Sequence, residues 1–171
     1  MQTIRGIGDG AAFDATVEDA FPGSAVESTI AGDGYFELEM RQRRLSRALK
    51  AAELPDGTLR VLMLAAALLW PRSPTLMVLN EPETRLHDSL IAPLARLILP
   101  AAQATQIAAV SHAASLVSIL SEAEQTSRIV LKKHFAETIA KDVESPPWRW
   151  PDRSLALLAR TAYSPFSTSV N

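Results

Sequence analysis

From residue 56 onward the apolar positions first repeat with a helical period and then fall into short continuous runs. Behind Asp56-Gly57-Thr58, the segment LRVLMLAAALLW (59–70) has apolar residues all round its axis and little polar face after Arg60. That pattern predicts a helix buried on most sides, capped by Asp56 and stopped by Pro71. TLMVL (75–79) is an unbroken apolar run between Pro74 and the acidic NEPE, as expected of a strand covered on both faces. Residues 88–103 space Leu90, Ile91, Leu94, Leu97 and Ile98 as a helix does, with Pro93 in the first turns and Pro100 near the end. QIAAV (106–110) predicts a second strand, Ala113 to Ser121 a further helix, and SRIVLKKH (127–134) a third strand.

Strands alternating with helices argue for an α/β fold with a parallel sheet and right-handed crossovers. The flanks are less informative. Residues 1–34 are rich in Gly, Asp and Ala, with FPGS (21–24) and AGDG (31–34) as turn signals, and only YFELEM (35–40) alternates like a half-buried strand. At the other end SPPWRWPDR (145–153) is broken by prolines, SLALLARTA predicts a short helix, and SPFSTSVN reads as a frayed terminus. The expected organisation is a weakly specified region at 1–50 with one strand near 35–40, a main lobe at 51–151, and a tail at 152–171.

Composition changes this picture little. The chain has 171 residues, 47% of them hydrophobic and 21% charged, with a net charge of −2, so one packed domain burying about two-thirds of its surface is attainable. A generally basic nucleic-acid glove is not indicated. Zero cysteines exclude a disulfide scaffold and thiolate metal sites. MQTIRGIGDG lacks the apolar core of a signal peptide, and the longest apolar run, Val61 to Trp70, is half of what a bilayer crossing needs. The expectation is a cytoplasmic protein without a membrane segment.

Chemistry concentrates at strand ends. In a parallel sheet, polar residues just past the carboxyl ends of the strands line the ligand crevice. Asn80 and Glu81 follow the first strand, and Ser111 and His112 follow the second. A carboxylate and an imidazole thus meet one rim; the plainer reading is that Glu81 and His112 cap the segments behind them. His87, His112 and His134 show no zinc-binding spacing, and no G-x-S-x-G elbow exists. Arg41, Arg43 and Arg44, with Lys50 nearby, read either as phosphate-backbone contacts or as a solvated strand end. Trp148 and Trp150 among prolines read as a lid on the sheet edge or as a binding groove.

Three segments in order, ELPDGTLR (53–60), LMVLNEPETRLH (76–87) and AVSH (109–112), make the chain resemble the C-terminal half of an ABC-type ATPase head. The similarity is greatest to bacterial ATPases related to the structural-maintenance-of-chromosomes and recombination-repair ATPases, and it covers roughly residues 50–151. It implies a P-loop-NTPase-like, mostly parallel sheet with flanking helices and a small antiparallel N-terminal part. It also implies ATP and Mg²⁺ as cofactors and a head-to-head homodimer. Residues 53–58 then match the signature motif, with Asp56, Gly57 and Thr58 on the opposite subunit's nucleotide. Asn80 stands at the position that holds Mg²⁺ through water, Glu81 at that of the residue polarising the attacking water, residues 84–87 in the D-loop, and His112 at the γ-phosphate sensor.

The departures are as specific as the match. Pro55 replaces a Ser-like signature residue, Asn80 an Asp, and Arg85 a Ser-like D-loop residue. Asn80 keeps an acceptor oxygen but loses a charge. None of the seven glycines begins G-x-x-x-x-G-K-[ST], and no Gly-Lys pair occurs in the chain. The sheet is therefore expected to be incomplete, without its P-loop strand, and the chain alone to hydrolyse little or no ATP. Two readings follow. One is an ATPase portion completed by a missing N-terminal half; the other is a degenerate, non-catalytic relic serving as an interaction or dimerisation module.

Overall fold

The structure is a computed structural model describing residues 9–30, 32, 34–43, 45–124, 126–134 and 137–141. It divides into two compact units, Met1–Ser127 and Arg128–Asn171.

In the first unit, helix α1 (Gly10–Ala20) and strand β1 (Ser24–Ile30) fill the stretch whose pattern announced least. Asp9 caps α1, its side chain accepting from Ala12 N at 2.9 Å, and Phe13 and Val17 anchor the helix in the core. Gly23, at φ +75°, makes the turn into β1. β1 pairs antiparallel with β2 (Phe36–Gln42), and β2 with the short β3 (Leu49–Lys50). Val26 and Met40 are register partners and both are buried. The charges on this sheet pair among themselves: Lys50 with Glu37 at 2.8 Å and Arg41 with Glu27 at 3.7 Å. Arg44 lies outside the described residues.

Helix α2 (Asp56–Leu68) begins one residue earlier than its expected cap requires. Pro55 occupies the N-cap, without a side-chain hydrogen bond, and Asp56 sits inside the first turn, where its charge suits the helix dipole. Leu62, Ala65 and Leu68 enter the core, but Met63 and Ala67 are exposed. The helix therefore shows a solvent stripe that its composition did not predict.

Strand β4 (Leu76–Asn80) pairs parallel with β5 (Gln106–Val110), in register from Leu76 with Gln106 to Asn80 with Val110. Between them run a 3-10 turn (Asp88–Leu90) and helix α3 (Ile91–Ala101); helix α4 (Ala114–Ser121) follows β5. α3 is buried nearly all round, from Ile91 through Leu94 to Ile98. Its exposed Arg96 reaches α1 and grips Asp19 with two hydrogen bonds of 2.9 and 2.8 Å. Buried Thr105 donates to the carbonyl of Pro74, tying the entry of β5 to that of β4.

The expected two-sided burial of β4 is corrected. Leu79 is 6% exposed and packs into the core with α2 and α3, whereas its neighbours Leu76 and Val78 are 51% and 63% exposed. With Val110, they form an open apolar face, because nothing among the described residues of this unit packs on that side.

The second unit contains strand β6 (Val130–His134), as expected at that place, but its partner is antiparallel β7 (Glu137–Lys141), which the pattern did not predict. The WRWP segment and the residues behind it lie outside the described residues.

Candidate functional site

The ends of β4 and β5 carry the expected polar residues. Glu81 extends the ladder by one step, its amide donating to Val110 O at 2.8 Å, and it does so at φ +45°. A left-handed conformation costs a non-glycine residue on the order of 1 kcal/mol or more, so it persists only where the surroundings over-determine it. They do here. Arg60, the polar residue at the head of an otherwise apolar helix, donates to Glu81 O at 2.6 Å and to Pro82 O at 3.2 Å. Thr84 Oγ1 donates to Glu81 Oε2 at 3.2 Å, and Thr84 N donates to Glu81 O.

The result aims the carboxylate at the neighbouring strand end. His112 Nε2 lies 3.4 Å from Glu81 Oε1, with the imidazole largely in solvent. These two residues, expected on one rim, are brought together. Asn80 is exposed at the end of β4. Asp56, Gly57 and Thr58 form the first turn of α2, on the other side of the loop 81–86. Thr58 is buried, and a β-carbon on Gly57 would stand 2.8 Å from Arg85 O. Asp56 pairs with Arg85 at 2.7 Å, and Arg85 itself adopts φ +64°. His87 turns away, its ring accepting from Ser89 N at the head of the 3-10 turn.

The sequence pattern gives no role to two residues of this site, Arg60, which ends ELPDGTLR, and Glu83, which stands in LMVLNEPETRLH two residues beyond Glu81. Glu83 Oε1 accepts from Ser111 Oγ at 2.6 Å, His112 N at 3.0 Å and Ala113 N at 3.2 Å. Burial pushes the Glu83 carboxyl up, but the Ser111 hydroxyl and the backbone amides outweigh it and hold the group below the ordinary carboxylate range. Oε2 is buried without a partner among the described residues.

ATP and Mg²⁺ do not fit the described residues alone. No group of three His, Asp or Glu residues close enough to hold a metal exists among them. Asn80 offers one neutral oxygen, and the Glu81 carboxylate is already engaged by Thr84 and His112. The sequence contains no G-x-x-x-x-G-K-[ST] segment.

A parallel strand pair thus delivers a carboxylate and an imidazole to one rim, beside a helix whose glycine lets the loop approach. Residues 9–118 match the profile of the family described as "AAA domain, putative AbiEii toxin, Type IV TA system", and the chain belongs to that family. The match starts well before residue 51 and takes in α1 and the antiparallel sheet. A search of the curated proteins found no match.

Among solved structures the fold is that of SMC heads. One, from work on ATP-driven dimerization and DNA-stimulated activation of SMC ATPases, shares 13% identity over 96% of each chain, with a TM-score of 0.64. An Smc head from Pyrococcus furiosus, bound to the C-terminal domain of ScpA, gives 12% identity and a TM-score of 0.64 over 95% of this chain. The SMC head domain of Thermotoga maritima gives 17% and 0.53 over 79%. The chain spans 39% and 47% of the latter two. No helix among the described residues is long and apolar enough to cross a membrane.

Proposed function

We propose that this chain is the part of an ABC-type, cytoplasmic ATPase head that carries the signature-like helix start, the Walker-B-like strand end and the switch histidine. It works with a P-loop supplied by polypeptide outside these 171 residues, in a head-to-head pair. The observation that carries the reading is the approach of Glu81 and His112 from the ends of two adjacent parallel strands. Such an approach is what positioning a water for phosphoryl transfer needs.

In this reading Glu81 holds the attacking water, and His112 orients Glu81 and senses the terminal phosphate. Asn80 would hold the metal through water, and Asp56, Gly57 and Thr58, at the start of α2, would face the nucleotide of the opposite copy. Mg²⁺ and ATP, when bound, supply the transferable phosphoryl group and the neutralisation of its charge. The lobe at 51–151 carries these groups, and the remainder of the chain frames or follows it. Of the basic residues that could meet a phosphate backbone, Arg41 and Lys50 are paired with Glu27 and Glu37. A second reading, a non-catalytic dimerisation module, is favoured by Pro55, which removes a hydroxyl and an amide from the signature position.

Steady-state ATP hydrolysis decides between them. The chain alone is expected to show no turnover above background. Together with a polypeptide that supplies the P-loop, it is expected to hydrolyse ATP, with Glu81→Gln lowering kcat by about 10²-fold or more. Turnover equal in wild type and Glu81→Gln, or none with the complementary half, would favour the second reading.

A further inference from the structure

The loop 81–86 sends two carboxylates to the same facing loop. Glu81 meets the His112 side chain, and Glu83 takes the backbone on which that side chain stands. Glu81 is fixed independently by Arg60, Thr84 and Val110. His112 has no comparable support: its side chain is 83% exposed, so its place depends on where residues 111–113 are held. Ala113, the N-cap of α4, has no capping side chain. A local Ser or Asp at that position would satisfy the helix amides. Glu83, 30 residues earlier on the loop that bears Glu81, instead takes the amide of Ala113 itself, which also donates to Ser111 Oγ at 3.1 Å.

We propose that Glu83 is the positioning residue of this site: through Oε1 it fixes Ser111–Ala113 and so sets the His112 imidazole against Glu81. The proposal rests on the reading of Glu81 and His112 as the working pair. Loss of Glu83 releases His112 while Arg60 and Thr84 keep Glu81 in place. The unequal use of the two oxygens agrees with this. All three donors come from the His112 loop and meet Oε1, while the buried Oε2 has no partner among the described residues.

The test needs no nucleotide. Imidazole ¹⁵N shifts of His112 and exchange rates of the His112 and Ala113 amides are recorded by NMR for the full chain as wild type, Glu81→Gln, Glu83→Ala and Glu83→Gln. Glu83→Ala is expected to move the imidazole shifts to those of Glu81→Gln and to speed exchange of both amides at least about tenfold. Glu83→Gln, which keeps an acceptor oxygen, is expected to hold the imidazole shifts near wild type. Should Glu83→Ala fail to fold, Ser111→Ala removes the 2.6 Å donor to Glu83, together with the Ser111 Oγ acceptor of Ala113 N, and is expected to shift His112 part of the way. Imidazole shifts unchanged in Glu83→Ala, with only the amides faster, would reduce Glu83 to a helix cap and overturn the proposal. Unchanged shifts in Glu81→Gln would instead overturn the pair itself, and with it the reading beneath.

Discussion

Asp56 and Arg85, 29 residues apart in the chain, join the first turn of α2 to the far end of the loop behind β4, Arg85 Nη1 standing 2.7 Å from Asp56 Oδ2. Both side chains are about 70% exposed, so solvent screening leaves the pair less than about 1 kcal/mol. What fixes the loop here is sterics. Only a residue without a β-carbon lets the Arg85 carbonyl come so close to α2.

Gly57→Ala therefore sets two effects against each other. Alanine gains about 1 kcal/mol of helix propensity, but its β-carbon collides with backbone that cannot swing aside. The collision is expected to win, for a net destabilisation of about 1–2 kcal/mol. Chemical denaturation measures the loss, and shift changes centred on residues 81–86 would place its cause. A stabilised Gly57→Ala would mean that the loop yields freely.

Glu53 supplies a pH dependence. Hydrogen bonds from the Arg47 guanidinium at 2.7 and 2.8 Å, and then from Lys50 N at 2.9 Å, hold its carboxyl down to about 2 from an ordinary 4.5. A depressed carboxyl contributes stability that is fully present above its unfolded pKa and is lost as pH falls through the folded one. The turn at 47–53 is thus expected to loosen between about pH 4.5 and 2. Carboxyl ¹³C titration of Glu53 reads this directly. Arg47→Met should return the midpoint toward the ordinary range, and an unmoved midpoint would assign the shift elsewhere.

The Arg96 to Asp19 contact tests geometry rather than charge. Two parallel hydrogen bonds from one guanidinium tie α3 to α1, an arrangement a lysine ammonium cannot reproduce. Arg96→Lys is expected to lose nearly as much as Arg96→Ala, each below about 1 kcal/mol because the pair is largely exposed. A double-mutant cycle with Asp19→Ala isolates the term, and full retention in Arg96→Lys would show that charge alone suffices.

How far the sequence could be read depends on what each element buries. α3 announces itself because a run of core residues sets its period, and β5 because QIAAV is an unbroken apolar run, although only Ile107 of it is partly buried. α1 buries only Phe13 and Val17, and β1 only Val26, so neither leaves a repeat long enough to see. At the site, Glu81 and His112 were legible because strand ends expose polar side chains at fixed places. Arg60 and Glu83 act on backbone carbonyls and amides, and such contacts leave no pairing pattern among side chains. The role of Asp56 was misplaced for a similar reason: a proline in the N-cap and an acid behind it read alike in sequence to a cap, until the partner, Arg85, is in place.

The two faces of β4 give the most direct check on whether the chain is part of a larger fold. Leu79 packs into the core, so Leu79→Ala is expected to cost about 2–5 kcal/mol in the chain alone. Val78 points to the open side, and Val78→Thr keeps the β-branch that suits a strand, so its cost alone should stay within about 0.5 kcal/mol. In an ATPase completed by a P-loop-bearing half, that face becomes interior, and a hydroxyl there must be desolvated without a partner. Val78→Thr is then expected to weaken assembly by about 1–3 kcal/mol while leaving the free chain's stability unchanged. Denaturation of the chain and titration calorimetry with the complementary half measure the two quantities separately. If Val78→Thr assembles as well as wild type, the open face of β4 is not where the second half docks.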